Sequence, residues 1–188
     1  MLRVFFFLSL MGLIACARVT LGTQPSAPAP SEEVGEMSFT LTSSAFTEGS
    51  AIPARYSCQG EDVSPPLAWQ DAPAGTQSFA LIMDDPDAPG RTWVHWVVYN
   101  LPASVQALQE GVTAEAGLPQ GALQGRNSWG RNDYGGPCPP SGTHRYFFKL
   151  YALDTTLNLP AGASKEDVLR AMEGHILAQA QLMGTYRK

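Results

Sequence analysis

At 188 residues and 44% hydrophobic content, the chain is long enough for one globular domain with a sizeable core, plus a further segment in front of it. Charged residues are scarce at 15%, while 18 glycines and 15 prolines favour a turn-rich, sheet-rich architecture over a helical one. A net charge of −5 excludes nucleic acid as a partner, since no basic stripe exists to displace counterions.

Arg3 precedes an apolar run from Val4 to Leu13, too short to span a bilayer but suited to the core of a secretory signal. The run closes on Leu13-Ile14-Ala15-Cys16, which looks like the cleavage and lipid-attachment box of bacterial lipoproteins. Residues 1–15 are therefore expected to be removed and Cys16 to be acylated; a plain signal cleaved elsewhere, with Cys16 lost, is the alternative. Residues 16–37 include Gln24-Pro25-Ser26-Ala27-Pro28-Ala29-Pro30-Ser31-Glu32-Glu33, with almost nothing to bury. They read as a disordered, partly polyproline-like tether, whose twenty or so residues give about 25 Å of freedom. The expectation is an exported, periplasm-facing lipoprotein, held at the outer rather than the inner membrane, whose folded domain spans 38–188.

Within that domain, Met37 to Thr42 alternates as a half-buried strand does. Ile52-Pro53 and Ser64-Pro65-Pro66-Leu67-Ala68-Trp69 are extended and proline-punctuated, which suits edges and loops. Ser78 to Met83 is a short apolar β-type run ending at Asp84-Asp85-Pro86-Asp87-Ala88-Pro89-Gly90. Trp93 to Leu101 is apolar on both faces and predicts a central strand. Ala103 to Asn132 reads as weakly patterned, glycine-dotted loop, and Tyr146 to Leu153 as a second strong strand. Ser164-Lys165-Glu166-Asp167 has the form of a helix start. Val168, Leu169, Met172, Ile176, Leu177 and Ala180 then predict an amphipathic C-terminal helix of four or five turns covering a sheet. Cys58 and Cys138, an even number in an exported domain, favour a disulfide over two buried free thiols. Closing a loop of about eighty residues would contribute roughly 4 kcal/mol on the chain-entropy account.

Strand periodicity also assigns faces. Phe79, Leu81, Met83 and Asp85 share one; Trp93, His95, Val97 and Tyr99 share another; His144, Tyr146, Phe148 and Leu150 share a third. Each row places a polar residue at one end. If the strands are neighbours, Asp85, His95, His144 and Tyr146 meet at one end of a sheet, beneath the rigid turn Tyr134-Gly135-Gly136-Pro137-Cys138-Pro139-Pro140-Ser141-Gly142. Oriented turn amides and imidazoles suit a small anion, phosphate above all. Two histidines and a carboxylate could instead hold a metal, but the close H-x-x-x-H or H-x-E spacing is missing. A serine hydrolase would want a G-x-S-x-G elbow, and Ser128 and Ser141 sit in ordinary loops. His175 has no visible polar partner and reads as structural.

Asp85-Pro86-Asp87-Ala88-Pro89, Trp93-Val94-His95-Trp96, Gly136-Pro137-Cys138-Pro139-Pro140 with Gly142, and His144-Arg145-Tyr146 together resemble the phosphatidylethanolamine-binding protein family, in its bacterial and archaeal Raf-kinase-inhibitor-like branch. Cys58 to Trp69, Met172 to Ala178 and Gly184-Thr185-Tyr186 are similar to that branch as well. The resemblance covers 38–188. It implies a mainly β (α+β) fold, with a large antiparallel sheet packed on a smaller one and peripheral helices. It also implies a shallow, non-catalytic pocket for phosphate-type anions, lined by Asp85, Pro89, Trp93, His95, Gly136, Cys138, Pro139, His144 and Tyr146. Only Ser141-Gly142-Thr143 separates the proline turn from His144, a short rim. No cofactor, metal or catalytic residue is expected. The expected partners are a phosphorylated or phospholipid head group, a membrane through the lipid anchor, and a protein such as a kinase or protease if the same pocket serves regulation.

Overall fold

A computed structural model describes residues 38–113 and 116–188. The leader expected over 1–15, the tether over 16–37 and Cys16 lie outside the described residues.

Among the described residues, eight strands and one α-helix follow in chain order: β1 (Thr40–Thr42), β2 (Leu67–Gln70), β3 (Ser78–Asp85), β4 (Trp93–Pro102), β5 (Ala107–Leu108), β6 (Leu123–Gln124), β7 (Thr143–Leu153), α1 (Lys165–Met172) and β8 (Ile176–Arg187). A 3₁₀ turn at Ala54–Tyr56 lies between β1 and β2. Two antiparallel sheets result, one of three strands ordered β1-β2-β5 and one of five ordered β6-β4-β3-β7-β8. The apolar run of β3 is buried along its whole length because it lies in the middle of the larger sheet, covered on both faces. Leu41, Leu67, Trp69 and Leu108 of the small sheet pack against Phe79, Leu81, Trp96, Phe148 and Leu182 of the large one. On the opposite face, Ala80, Ile82, Val97, Tyr99 and Tyr151 pack against Val168 and Met172 of α1. The mainly β architecture of a large sheet on a smaller one is therefore the fold, with α1 at the periphery.

Three expectations need correction. The long C-terminal helix is only α1. Ser164 caps it, accepting from the Asp167 N–H while Asp167 reaches back to the Ser164 N–H. The helix ends at Met172, and Gly174 turns the chain at a φ of 79°, a conformation open to glycine. The remaining residues form β8, a full-length partner of β7. Ile176, Leu177 and Ala180 mimicked helical spacing, but Ala178, Ala180, Leu182 and Tyr186 recur every second residue and pack on the inter-sheet core. The second correction is that the supposed loop from Ala103 to Asn132 contains β5 and β6, two-residue strands too short to leave a periodic trace. The third concerns β4. Met83 pairs with Trp96 and Asp84 with Val94, so His95 is an extra residue in a bulge. Val97 and Tyr99 face α1 as expected of each other. The bulge turns His95 away from them, toward Tyr146 on the inter-sheet side.

Candidate functional site

Strand order brings the polar residues together. Because β3 lies between β4 and β7, the end of β3 stands beside the start of each neighbour. Asp85, His95 and His144 converge there, all nearly buried at 3%, 2% and 7% exposure. His144 Nδ1 lies 2.7 Å from Asp85 Oδ2. The other oxygen, Oδ1, accepts the Asp87 backbone N–H at 2.8 Å, so this carboxylate closes the Asx turn at the head of the loop as well. Asp87 in turn holds Arg145 through both its oxygens, and the guanidinium lowers its pKa to about 2.

His95 is oriented from the other side. Its Nδ1 lies 2.7 Å from the Gly135 carbonyl, and the Gly135 N–H donates to the His95 carbonyl at 3.0 Å. A carbonyl can only accept, so Nδ1 carries the proton and donates, leaving Nε2 as the atom free for a ligand. Burial pushes the imidazolium pKa down, against the smaller pull of the Gly135 carbonyl and the Asp85 charge, which keeps the ring neutral and Nε2 a lone-pair acceptor. The Tyr146 ring stands edge-on to His95 at 5.1 Å. Its hydroxyl is buried without a hydrogen-bond partner of ordinary geometry among the described residues, and burial pushes its pKa well up.

The proline turn is fixed from below. A disulfide joins Cys58 to Cys138. The Cys58 N–H donates to the Pro137 carbonyl at 3.2 Å, the Gly136 N–H to Asp62 Oδ1 at 2.7 Å, and the Tyr134 hydroxyl to the Tyr56 carbonyl at 2.7 Å. Glycine is required at 136, since a Cβ there would stand 2.3 Å from the Tyr56 carbonyl oxygen.

A cavity of about 250 Å³ opens at this end of the sheet, lined by Asp85, Ala88, Pro89, Trp93, His95, Trp129, Cys138 and Pro140. Five of the nine expected residues therefore line it. Gly136, Pro139, His144 and Tyr146 do not; they are buried behind the lining, where His144 supports Asp85 and Tyr146 supports His95. Trp129 is the residue sequence reasoning missed. It is 42% exposed, lies edge-on to Trp93 at 5.4 Å and to His95 at 5.0 Å, and packs so closely on Gly135 that a Cβ there would meet its ring at 2.5 Å. Asn127 holds the loop that presents it, accepting the Trp129 and Arg131 N–H groups at 3.0 Å each and donating to Asp133. An exposed tryptophan near an Asn-centred turn was the available signal. Ser128 is likewise more than loop filling, since its hydroxyl accepts the Val94 N–H at 2.9 Å.

His175 pairs with Asp154 at 2.8 Å on the surface, beyond the opposite end of β7, so it does have a polar partner and takes no part in this site. Among the described residues no group of three or more His, Cys, Asp or Glu is arranged to hold a metal ion.

The family model for phosphatidylethanolamine-binding proteins matches residues 42–187. The chain belongs to the phosphatidylethanolamine-binding protein family. A UPF0098 protein of the archaeon Methanothermobacter thermautotrophicus is 55% identical over 148 residues, covering 79% of this chain and 98% of that one. Among solved structures, a homologue of the family from Chlamydia trachomatis superposes with a TM-score of 0.75 at 47% identity, covering 80% of this chain and 98% of the other. E. coli YbcL, described as a member of the mammalian family, superposes with a TM-score of 0.76 at 36% identity and the same coverage.

Proposed function

We propose that this family member is a non-catalytic binding protein whose cavity takes a phosphate-type anionic head group, and that it is exported and lipid-anchored through Cys16 on the periplasmic side of the outer membrane. The observation that carries the pocket reading is an orphaned donor on the cavity wall. Of three buried side-chain polar atoms without a partner of ordinary geometry among the described residues, Trp93 Nε1 belongs to a residue that lines the cavity; the Tyr146 hydroxyl lies behind the lining beside the Cys138 backbone, and Trp69 Nε1 lies between the sheets. Buried donors left unpaired cost about 1–3 kcal/mol each, and an oxyanion is a group that takes up several donors at once.

The neighbouring groups fit that role in complementary ways. His144 donates to Asp85 from Nδ1 and holds that carboxylate in place at the cavity wall. His95, kept neutral by burial, accepts the remaining proton of a phosphate monoanion at Nε2. Trp93 and Trp129 pack on whatever the phosphate carries. On this reading the ligand is held without chemical change.

Calorimetry on the His144→Ala variant tests the reading. It leaves the Asp85 carboxylate buried and without its His144 hydrogen bond beside an incoming anion, so phosphate affinity is expected to fall by about 2–5 kcal/mol, below detection. Unchanged affinity overturns the site. Labelling with a radioactive fatty acid tests the anchor: incorporation is expected into the wild type and is lost in Cys16→Ser, and label retained in that variant rules out acylation at Cys16.

A further inference from the structure

Part of the cavity wall is a disulfide. Cys138 lines the hollow beside Pro140 and is joined to Cys58, 80 residues earlier in the chain. Both cysteines are exposed, and neither belongs to the inter-sheet core or to the core beneath α1. Disulfides at the surface are the ones that thiols reach and exchange with.

The bond also holds a segment that little else holds. Upstream, the turn is tied down residue by residue: the Gly135 N–H donates to the His95 carbonyl, the Gly136 N–H to Asp62, and the Pro137 carbonyl accepts the Cys58 N–H. Downstream, the Gly142 carbonyl accepts the Lys188 N–H at 3.2 Å, and β7 begins at Thr143. Between these anchors, residues 138–141 make no hydrogen bond of ordinary geometry to any described residue, and two of the four are prolines with no N–H to give. Pro139 is buried, while Cys138, Pro140 and Ser141 are exposed. The disulfide is therefore the tie across a stretch of wall that hydrogen bonding leaves free.

We propose that Cys58–Cys138 is a thiol-exchange site that sets the affinity of the pocket, the disulfide form binding tightly and the dithiol form weakly. The co-reactant is a partner dithiol. Its thiolate attacks one of the two sulfurs, the S–S bond breaks, a mixed disulfide forms, and the other cysteine leaves as a thiolate that takes up a proton. The partner's second thiol then displaces the remaining cysteine. Two electrons and two protons pass to the chain, and the partner departs as a disulfide. The freed wall keeps its anchors at Pro137 and Gly142 but loses its fixed position between them. A ligand must then order it, and fixing the backbone of even one residue lowers affinity about ten-fold. By linkage, bound ligand makes the disulfide harder to reduce by the same factor. This rests on the phosphate reading above and names the regulation of that site.

The test is calorimetry with inorganic phosphate and sn-glycerol 3-phosphate on the full chain, before and after dithiothreitol, with alkylation mapping of Cys58 and Cys138. Reduction is expected to leave the chain folded by circular dichroism, since neither core contains a cysteine, and to weaken both probes about ten-fold. Reoxidation is expected to restore binding. Cys58→Ser, which removes the bond and leaves Cys138 on the wall, is expected to bind as the reduced wild type does and to ignore dithiothreitol. Saturating glycerol phosphate is expected to shift the dithiothreitol equilibrium of the wild type about ten-fold toward the disulfide, or about 30 mV. Equal affinity in the two redox states, a bond that dithiothreitol leaves intact in the folded chain, or a chain that unfolds on reduction overturns the switch and leaves the phosphate reading standing. If the oxidised chain binds neither probe, the phosphate reading itself fails and the switch falls with it.

Discussion

Asp84 and Asp85 are consecutive on β3, both almost wholly buried, and they serve opposite faces of the sheet. Asp84 faces the helix side, where Lys149 of β7 and Lys165 at the start of α1 close on it at 3.0 and 2.5 Å. That carboxylate is fully compensated, and it ties the helix to the sheet. Asp85 faces the other way, to a single histidine, with a cavity where Asp84 has its lysines. Strand alternation alone separates the two. What differs is the supply of compensating charge, and an incompletely compensated buried group is where a ligand has something to gain.

Removing Asp84 breaks the comparison most severely. Asp84→Ala strands two lysines and is expected to cost about 3–5 kcal/mol in urea unfolding. The molecules that remain folded are expected to bind phosphate as the wild type does. A variant that lost binding but kept its stability would reverse the roles assigned to the two aspartates.

The pH dependence of binding sharpens the account of His95. Since burial keeps its imidazole neutral, it suits a ligand oxygen that still carries a proton. A phosphomonoester loses that proton near pH 6, and its dianion then meets the Nε2 lone pair and the Asp85 charge together. Glycerol phosphate affinity is therefore expected to fall about ten-fold or more as pH rises from about 5.5 to about 8. Affinity that rises over that range contradicts a neutral His95. The smallest effect is expected at the cavity rim. Trp129→Ala is expected to change stability by less than about 1 kcal/mol, the residue being half outside, and to weaken glycerol phosphate about three-fold while sparing inorganic phosphate. Equal losses for both would place the phosphate itself against Trp129.

The contrast between the two aspartates also shows what the sequence made legible. Period two along β3 correctly put Phe79, Leu81, Met83 and Asp85 on one face, and along β7 it did the same for Tyr146, Phe148 and Leu150. Strand order could not be read from periodicity; the family resemblance supplied it. The bulge at His95 stayed hidden because an extra residue disturbs the pairing between strands and leaves no mark on composition. β8 was misread as helix because its first exposed residues, Ile176 and Leu177, are apolar, and its outward face carries glutamines at 179 and 181 with no charge before Arg187. Trp129 went unseen for a different reason. Its place is set by the hydrogen bonds of Asn127, a local turn that no periodic pattern records.

The chain holds three histidines, which makes their imidazole signals a direct readout of the claim that two of them serve one anion site. His175 sits beside Asp154, past the far end of the eleven-residue β7 from His144, about 30 Å away along the strand. In a phosphate titration followed by NMR of the imidazole nitrogens, His95 and His144 are expected to shift together with one dissociation constant while His175 stays still. Movement of His175 alone, or no movement of His95 and His144 at saturating phosphate, would contradict the account.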